Sequence, residues 1–375
     1  MSAAQPTSGS GGLLRDLFEA AGATWLSLPV LQPADPFLET AGEDIRRRMF
    51  VTEGVSGERL ALRPDFTIPV CLHHLGEENG PRKYAYEGAV FRRAESGVSE
   101  VLETGYEDIG RTDKVEADAD AIALAVEAVG RLSGGAITVR LGDIGLFTAL
   151  LSALDLPPAW RRRLRLSFGV AELMRANLDR LAAPRTDDPM AGFDAELAAV
   201  AGKHDEAALA RFLEARAEAH GHVPDAGRTA ADIARRFLEQ LSLRETHLDQ
   251  PTLAILRDYL AIEAPLGDAS ETLGAFFAGH GLSLDPALET FTVRADQIVA
   301  RDRLSPGETG IGFSAAFGRP LDYYTGLVFE IGLAGEARPA AGCGRYDGLM
   351  QMLGTDVPVP AIGFTVRLPG GGGAS

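Results

Sequence analysis

The chain has 375 residues, of which 46% are hydrophobic and 24% are charged, values that are ordinary for a globular protein. A chain of this length can bury a large core, and it predicts one large domain with an insertion or two domains. The formal net charge of -17 disfavours binding to a nucleic-acid backbone, because that affinity comes mostly from lysine and arginine side chains.

Cysteine usage and hydropathy bear on the compartment. Cys71 and Cys343 are the only cysteines and form no CxxC pair, which argues against a disulfide framework or a thiolate metal site. The first twelve residues lack the basic start and the apolar stretch of a signal peptide, and no run of about 18 apolar residues occurs. We therefore expect a cytoplasmic protein without a membrane span.

The first half of the chain mixes helices and strands. Residues 1–12 are predicted to be a disordered lead, and Asp65 is an N-cap candidate for one of the helices that follow. In chain order the pattern predicts a helix over 13–22, two short strands over 48–54 and 58–64, a helix over 65–75, a hairpin over 82–110, a helix over 115–132, a strand over 136–143 and a helix over 144–154.

The second half begins with a change of character. Residues 157–281 are rich in Ala, Leu, Arg and Glu at helical spacing, which predicts an insertion of five to seven helices. Strands are predicted again in GIGFSAAF, LDYYTGLVFEIGL and PAIGFTVRL, and residues 369–375 form a flexible tail. Residues 13–156 and 282–368 would then form one core. Because single short helices do not link most of its strands, we expect an α+β fold with an antiparallel sheet.

The predicted hairpin carries unusual charge for a pair of strands. Its outgoing strand ends at Arg92, and its returning strand carries Glu103 and Glu107 on the same face as Gly105. The two glutamates are roughly 13 Å apart along a strand. This face could hold one small cationic or zwitterionic ligand, since glycine removes side-chain bulk where a ligand approaches. A ladder of salt bridges on a solvent-exposed face is the alternative.

A second candidate segment is GRPLDYYTGLVFE, residues 318–330. The proline after Arg319 favours an extended conformation for that residue, whose guanidinium could bind a carboxylate in a bidentate manner. Tyr323 and Tyr324 are adjacent in the predicted strand, so we expect them to point to opposite faces. Adjacent tyrosines in a strand are usually packing residues.

Other motifs give little support for a cofactor, metal or catalytic site. GCGRYDG, residues 342–348, has its third glycine one place late for a dinucleotide-binding loop, and the acidic ribose partner is missing. The HGH at residues 220–222 lacks further metal ligands nearby. No Walker A sequence and no G-x-S-x-G elbow occurs. We therefore predict no cofactor, no metal and no catalytic residue.

Six motifs together resemble those of one known family. ALRPDFTIPV, YEGAVFRRAES, EVLETGYEDIG, GRPLDYYTGLVFE, AAGCGRYDGLM and PAIGFTVRL occur in the order found in histidyl-tRNA synthetases, and the similarity extends from about residue 13 to 368. The resemblance implies a class II aminoacyl-tRNA synthetase-like core, with a six-stranded antiparallel sheet flanked by helices, usually as a dimer.

The resemblance also implies a histidine-shaped pocket. Asp65 and Thr67 stand where the synthetases place a glutamate and a threonine near the substrate amino group, and Glu103 stands where they have a glutamine. Glu107 matches a glutamate near the imidazole, and Tyr324 is its neighbour. The complete set of pocket residues that we predict on this basis is Asp65, Thr67, Arg92, Glu103, Glu107, Arg319, Tyr323, Tyr324 and Tyr346, with Arg319 facing the substrate carboxylate.

The nucleotide side of this pocket differs from the synthetase pattern. Ala94 replaces a glutamate, and the shortened loop between Arg93 and Leu102 holds no lysine or arginine. An arginine expected after the last strand has no match, because Arg367 comes too early. No room remains for an anticodon-binding domain, so we expect no tRNA binding. This combination resembles the regulatory subunits of ATP phosphoribosyltransferase, which are paralogues of the synthetases.

That second resemblance implies a function and partners. Such a subunit would assemble with a short catalytic phosphoribosyltransferase, typically as a hetero-octamer of four chains of each kind. It would enable the first step of histidine biosynthesis and its feedback inhibition by histidine. The sequence leaves open which surface meets the catalytic subunit, and whether histidine binds in this pocket or at the subunit interface.

Two alternatives stay open at this stage. The retention of Arg92 and Arg319 is compatible with a histidyl-tRNA synthetase-like enzyme that activates an amino acid without an anticodon-binding domain. Activation requires ATP held for in-line attack, and exchange of pyrophosphate into ATP would reveal it. A purely structural assembly subunit with a vestigial pocket is the other alternative.

Overall fold

A computed structural model describes residues 11–77, 80–93, 99–133, 136–183, 190, 192–219, 229–301, 310–319, 321 and 323–368. Contacts divide the chain into two units. The sheet unit consists of the described residues of Met1–Leu150, Phe168–Val170 and Asp258–Ser375, and the helical unit consists of those of Leu151–Ser167 and Ala171–Arg257. The predicted lead and tail lie largely or wholly outside the described residues, as do the predicted hairpin turn and Ala94.

The strands of the sheet unit form two sheets. In chain order the described strands are β1 (Thr24–Leu26), β2 (Leu31–Pro33), β3 (Phe50–Glu53), β4 (Arg59–Leu62), β5 (Arg82–Phe91), β6 (Glu100–Ile109), β7 (Ile137–Asp143), β8 (Glu263–Pro265), β9 (Ile311–Ser314), β10 (Leu327–Leu333), β11 (Ala341–Arg345) and β12 (Ala361–Arg367). The nine-stranded sheet has the order β1-β5-β6-β12-β11-β10-β7-β9-β8, and β2-β4-β3 form a small antiparallel sheet.

The described helices lie in both units. In chain order they are α1 (Gly11–Ala20), α2 (Asp35–Thr40), α3 (Gly42–Arg48), α4 (Thr67–Gly76), α5 (Lys114–Leu132), α6 (Ile144–Ala153), α7 (Pro158–Leu166), α8 (Ala171–Ala182), α9 (Ala195–Ala201), α10 (Glu206–Ala219), α11 (Ala230–Glu245), α12 (Gln250–Leu260), α13 (Leu266–Gly279), α14 (Asp285–Ala300) and α15 (Leu349–Met352).

The predicted α+β class is correct, and the strand count of the large sheet is larger than predicted. From β5 to β7, six neighbouring strands are antiparallel throughout, as expected. Three outer strands extend this central sheet to nine: β1 pairs in parallel with β5, β9 pairs in parallel with β7, and β8 is antiparallel to β9. The predicted six-stranded sheet is therefore the centre of a larger mixed sheet.

The two faces of the central sheet have different roles. Phe18 of α1 packs against Tyr106 of β6 and Phe364 of β12, with ring centroids 6.2 and 5.8 Å apart. Because side chains alternate along a strand, Glu107 and Gly363 lie on the opposite face. One face is thus an aromatic core, and the other carries the charged residues of the hairpin.

The predicted first residue of one strand is wrong. LDYYTGLVFEIGL was predicted as a single strand, but β10 starts only at Leu327, and Tyr323 and Tyr324 lie in the preceding loop. Both neighbours of β10 explain the late start. β7 ends at Asp143 where α6 begins, and β11 ends at Arg345, so the earlier residues have no ladder partner. The expected alternation of the two tyrosines therefore does not apply.

The helical unit has its own small core. Ala201, Leu209, Ala234 and Leu241 are buried together between α9, α10 and α11. A capping box at Thr229 satisfies the first turn of α11. β8 and α13, which the sequence analysis placed in the insertion, cluster instead with the sheet unit, since β8 pairs with β9.

Candidate functional site

Glycines on one face of the central sheet allow side chains to lie directly on the backbone. We call Gly105, Gly342, Gly344 and Gly363 the glycine floor; they lie on the neighbouring strands β6, β11 and β12. A Cβ atom at Gly363 would stand 1.4 Å from Glu107 Oε2, and one at Gly344 would stand 2.4 Å from Tyr324 Cε1. A Cβ at any of these positions would force the neighbouring side chain to shift, because that side chain occupies its space.

Glu107 is the central polar group of this face. The residue is 1% exposed, and its carboxylate accepts hydrogen bonds from three hydroxyl groups. Thr67 donates to Oε1 at 2.8 Å, Tyr86 donates to the same oxygen at 3.3 Å, and Tyr346 donates to Oε2. Since a carboxylate offers about four lone-pair sites, Glu107 has capacity for one further donor.

Burial has the largest effect on the pKa of the Glu107 carboxyl. Loss of solvation raises the pKa of its carboxyl to about 7, although the hydrogen bonds from Tyr346 and Thr67 act in the opposite direction. The nearby carboxyl of Asp65 also raises this pKa. Glu107 therefore titrates near neutral pH when the pocket holds no ligand.

Asp65 and Glu103 form the acidic wall of the pocket. Asp65 Oδ1 accepts a hydrogen bond of 3.2 Å from the Ile68 amide in the first turn of α4. The predicted N-cap position is wrong by one residue, because α4 starts at Thr67 and its N-cap is Phe66. Asp65 Oδ2 is buried and has no hydrogen-bond partner among the described residues. Burial raises the pKa of Asp65 to about 6, against the effect of the Arg92 cation.

Arg92 connects this wall to the backbone. Its Nε donates to the Pro64 carbonyl at 2.6 Å, and its Nη1 lies 3.5 Å from Glu103 Oε1. Glu103 is 6% exposed, and burial raises the pKa of its carboxyl, while Arg92, Arg367 and Arg319 lower it. The burial of both glutamates excludes the alternative of a salt-bridge ladder on a solvent-exposed face.

Arg319 and the tyrosines complete the pocket. The Arg319 guanidinium lies on the glycine floor, where a Cβ at Gly342 would stand 1.8 Å from Nη1. Its Nε is buried and has no hydrogen-bond partner within the described part of the chain. The Tyr323 ring contacts both Tyr324 and Tyr346, with centroids 5.1 and 6.1 Å apart. Both tyrosines of the predicted pair thus belong to one cluster.

The structure therefore brings all nine predicted pocket residues together. Tyr86 is a tenth member that the sequence analysis did not include, and its hydroxyl also bonds Thr365 at 2.9 Å. The register of the hairpin could have indicated this residue, because Tyr86 is paired with Gly105 on the neighbouring strand. A Cβ at Gly105 would stand 2.3 Å from the Tyr86 hydroxyl. A glycine opposite a large polar side chain indicates that this side chain lies across the neighbouring strand.

The pocket is suited to a small zwitterion with an additional N–H donor. The buried carboxyl groups of Asp65 and Glu103 interact with the Arg92 guanidinium, and Glu103 also interacts with Arg319. Glu107 adds a buried acceptor that is bound by hydroxyl groups. Within the described ranges, no cluster of three or more His, Cys, Asp or Glu side chains is arranged to hold a metal ion. Among the same residues, no helix combines the length and the apolar character that a membrane span requires.

Comparisons with known proteins agree with this fold and pocket. A family model described as histidyl-tRNA synthetase matches residues 10–259 and 242–370, which makes this chain a member of the class II synthetase-like proteins of that family. Two curated relatives are similar over almost their whole length. They are the ATP phosphoribosyltransferase regulatory subunits of Mesorhizobium japonicum, 46% identical over 94% of this chain and 93% of the relative, and of Allorhizobium ampelinum, 44% identical over 95% of each. The chain belongs to the family of ATP phosphoribosyltransferase regulatory subunits.

Solved structures support the fold. A structure from Bacillus halodurans, described as an ATP phosphoribosyltransferase regulatory subunit/histidyl-tRNA synthetase, is 19% identical and covers 96% of this chain and 76% of its own, with a TM-score of 0.61. A histidyl-tRNA synthetase from a Nostoc species is 17% identical and covers 95% of this chain and 68% of its own, with a TM-score of 0.59. The predicted class II synthetase-like fold is confirmed, and so is the predicted family of regulatory subunits.

The buried carboxyl of Glu107 predicts a pH-dependent stability. Its pKa is about 7 in the folded chain and 4.5 ordinarily, so between these values the folded state holds a proton that the unfolded state releases. The free energy of unfolding that this group contributes therefore falls as the pH rises through this window. Denaturant titrations should show that Glu107→Gln gains on the order of 3 kcal/mol relative to wild type between pH 4.5 and 7.5. A pH-independent difference between the two chains would contradict the assignment.

Proposed function

We propose that this chain is the non-catalytic subunit that a short catalytic ATP phosphoribosyltransferase requires for the first step of histidine biosynthesis, and that histidine regulates the complex by binding in the pocket. The observation that carries the proposal is Glu107, a buried carboxylate held by three hydroxyl donors with capacity for one further N–H donor. An imidazole ring supplies such a donor and is the side chain of the end product of the pathway.

The remaining pocket groups match the other end of an amino acid. An α-ammonium group would bind beside Asp65, whose Oδ2 lacks a partner among the described residues, and Glu103. A carboxylate would bind at Arg319, whose buried Nε also lacks a partner there. Both ends of the ligand would therefore satisfy buried polar atoms, which otherwise cost free energy.

The proposed partners follow from the family. We infer a complex with the short catalytic subunit, a hetero-octamer of four chains of each kind, in which the regulatory chain also associates as a dimer. We infer a cytoplasmic location and no binding of tRNA. The names of the relatives, which describe regulatory subunits of ATP phosphoribosyltransferase, support the existence of a catalytic partner.

Activation of an amino acid with ATP is the second candidate function, since Arg92 and Arg319 are both present in the pocket. The contacts of Arg92 favour the regulatory function. Its guanidinium bonds the Pro64 carbonyl and faces Glu103, so intramolecular groups already engage the cation that would be needed for a phosphate.

Reconstitution tests the proposed function. We expect a short catalytic ATP phosphoribosyltransferase to show little activity alone, strong activation when this chain is added, and inhibition when histidine is then titrated in. Calorimetry with histidine on the isolated chain and on the complex would locate the binding. A catalytic chain that is fully active and histidine-sensitive by itself would refute the regulatory role.

A further inference from the structure

A chain of four buried charges runs behind the pocket. We call Arg345, Asp118, Arg294 and Asp143 the ionic chain; they lie at the end of β11, on α5, on α14 and at the end of β7. Asp118 is 0% exposed and uses both oxygens: Oδ1 accepts from Arg345 Nε at 2.8 Å, and Oδ2 accepts from Arg294 Nε at 2.7 Å. Arg294 in turn donates to Asp143.

The ionic chain ends beside a pocket residue. Arg345 and Asp347 flank Tyr346 in sequence, and both are held on the α5 side of the sheet. Arg345 Nη1 donates to Asp347 Oδ1 at 2.8 Å, and Arg345 Nη2 donates to the Lys114 carbonyl at 3.0 Å. Tyr346, between these two anchored residues, extends to the opposite side and donates to Glu107.

Backbone hydrogen bonds tighten the same segment. The Tyr346 amide donates to the Ala361 carbonyl at 2.8 Å, and the Ala361 amide donates to Asp347 Oδ1 at 3.0 Å. The backbone at Tyr346 is therefore fixed by β12 on one side and by the side chains of its two neighbours on the other. Only the Tyr346 side chain reaches the pocket from this segment.

Stability alone is a weak reason for such an arrangement. Burying charged groups removes their hydration, and replacing a buried ion pair by apolar residues is often neutral or stabilising. Buried ionic groups can instead define one geometry among several, because each charge has few acceptable partners. In this chain the geometry that they define includes the direction of Tyr346.

We propose that Asp118 is a positioning residue for the pocket: it holds Arg345, and through Arg345 it directs the Tyr346 hydroxyl to Glu107 Oε2. Asp118 itself touches no pocket residue that would meet a ligand. Its effect on ligand affinity rests on the proposed function, whereas its effect on Glu107 is a property of the unliganded chain.

The titration of Glu107 reports on this positioning. The titratable groups that face Glu107 are Asp65 before α4, Cys71 on α4, Tyr86 on β5, Tyr323 in the loop before β10 and Tyr346 after β11. Of these, the hydroxyls of Tyr346 and Tyr86 both lower the pKa of Glu107 by their hydrogen bonds, and the effect of Tyr346 is the larger. A chain in which Tyr346 is misdirected should therefore have a higher pKa at Glu107.

The direction in which the pKa of Glu107 changes distinguishes a misplaced Tyr346 from the electrostatic effect of the lost Asp118 charge. Removing the negative charge of Asp118, or leaving the Arg345 cation without its partner, would lower the pKa of a distant carboxyl. Losing the Tyr346 hydrogen bond would raise it. A rise in the pKa of Glu107 in a variant that has lost an anion thus indicates a change of geometry.

The experiment is a carbon-13 NMR titration of the Glu107 carboxyl in the full unliganded chain. We expect Tyr346→Phe to raise the midpoint by about one to two pH units, the equivalent of one hydrogen bond to a charged group. Asp118→Asn should raise it in the same direction, and the double variant should show no larger rise than Tyr346→Phe alone. Asp143→Asn is the matched control, since it removes a buried anion from the same ionic chain without touching Arg345.

The outcomes decide the proposal in each case. An unchanged or lowered midpoint in Asp118→Asn, an additive double variant, or an equal rise in Asp143→Asn would each overturn it. If Asp118→Asn does not fold, Asp347→Asn takes its place, because it removes the other carboxylate that binds the Arg345 guanidinium. This variant must then raise the midpoint for the proposal to stand. Histidine titrations of complexes formed with the same chains separate the two questions. A wild-type complex that binds no histidine would refute the proposed function, and the NMR midpoint would still decide the role of Asp118.

Discussion

Replacing Glu107 with glutamine should weaken histidine binding by roughly ten-fold to hundred-fold while the fold stays intact. The substitution keeps the shape of the side chain and removes the charge that would accept a hydrogen bond from the imidazole. Loss of such a charge-assisted bond costs about 1.5 to 3 kcal/mol, which corresponds to this range of affinity. The fold should persist because Thr67, Tyr86 and Tyr346 can rotate their hydroxyl groups to suit an amide.

The measurement is a histidine titration of the complex, together with thermal melts of each chain. Glu263→Gln is the matched control, because Glu263 is exposed on β8, at the far edge of the same sheet. It should keep the affinity of wild type. Unchanged histidine sensitivity in Glu107→Gln, with an intact fold, would mean that this pocket is vestigial and that histidine acts elsewhere in the complex.

Replacing Gly363 with alanine should abolish detectable histidine binding and lower the free energy of unfolding by about 1 to 3 kcal/mol, as expected for overpacking. The new Cβ would stand 1.4 Å from Glu107 Oε2, 2.3 Å from its Cδ and 2.8 Å from the Tyr106 carbonyl oxygen. The carboxylate would have to leave Thr67 and Tyr346, and the Tyr106 backbone is fixed in the β6–β12 ladder. A single methyl group therefore displaces the central acceptor of the pocket.

Gly332→Ala provides the comparison for this variant. Gly332 lies on β10, and the nearest atom to its new Cβ would be the Thr138 hydroxyl, the end of a side chain that can rotate away. Histidine titration and denaturant unfolding of both variants should show binding lost in Gly363→Ala and retained in Gly332→Ala. Equal behaviour of the two variants would show that the glycine floor has no specific role.

Local patterns predicted much of this fold because they report on one strand or helix at a time. The charged hairpin, α5 and the helices of the insertion follow from periodicity and capping, which are properties of neighbouring residues. β11 carries two glycines in its five residues, which weakens any strand signal, and it was not predicted. The start of β10 was wrong because it depends on where β7 and β11 end, and these strands are distant in sequence.

The pocket residues were predicted by resemblance to a family, and their contacts needed the structure. The residue pattern alone placed Glu103 and Glu107 on one face but left a solvent-exposed salt-bridge ladder equally open. Burial by α4 and by the loop before β10 decides between the two, and no local pattern contains it. The bond between Tyr346 and Glu107 joins residues from distant segments, and so does the contact of Asp118 with Arg345.

The position of β12 has a consequence for the order of assembly. β12 is the last described strand of the chain, yet it lies in the middle of the large sheet, between β6 and β11. During synthesis the edge of β6 that later pairs with β12 therefore stays unpaired, and unpaired strand edges favour pairing with strands of other chains. Gly363 arrives with β12, so the sheet and the pocket are completed in the same step. A nascent chain that has not yet released residues 361–367 from the ribosome has two unprotected edges and a pocket that lacks part of its floor.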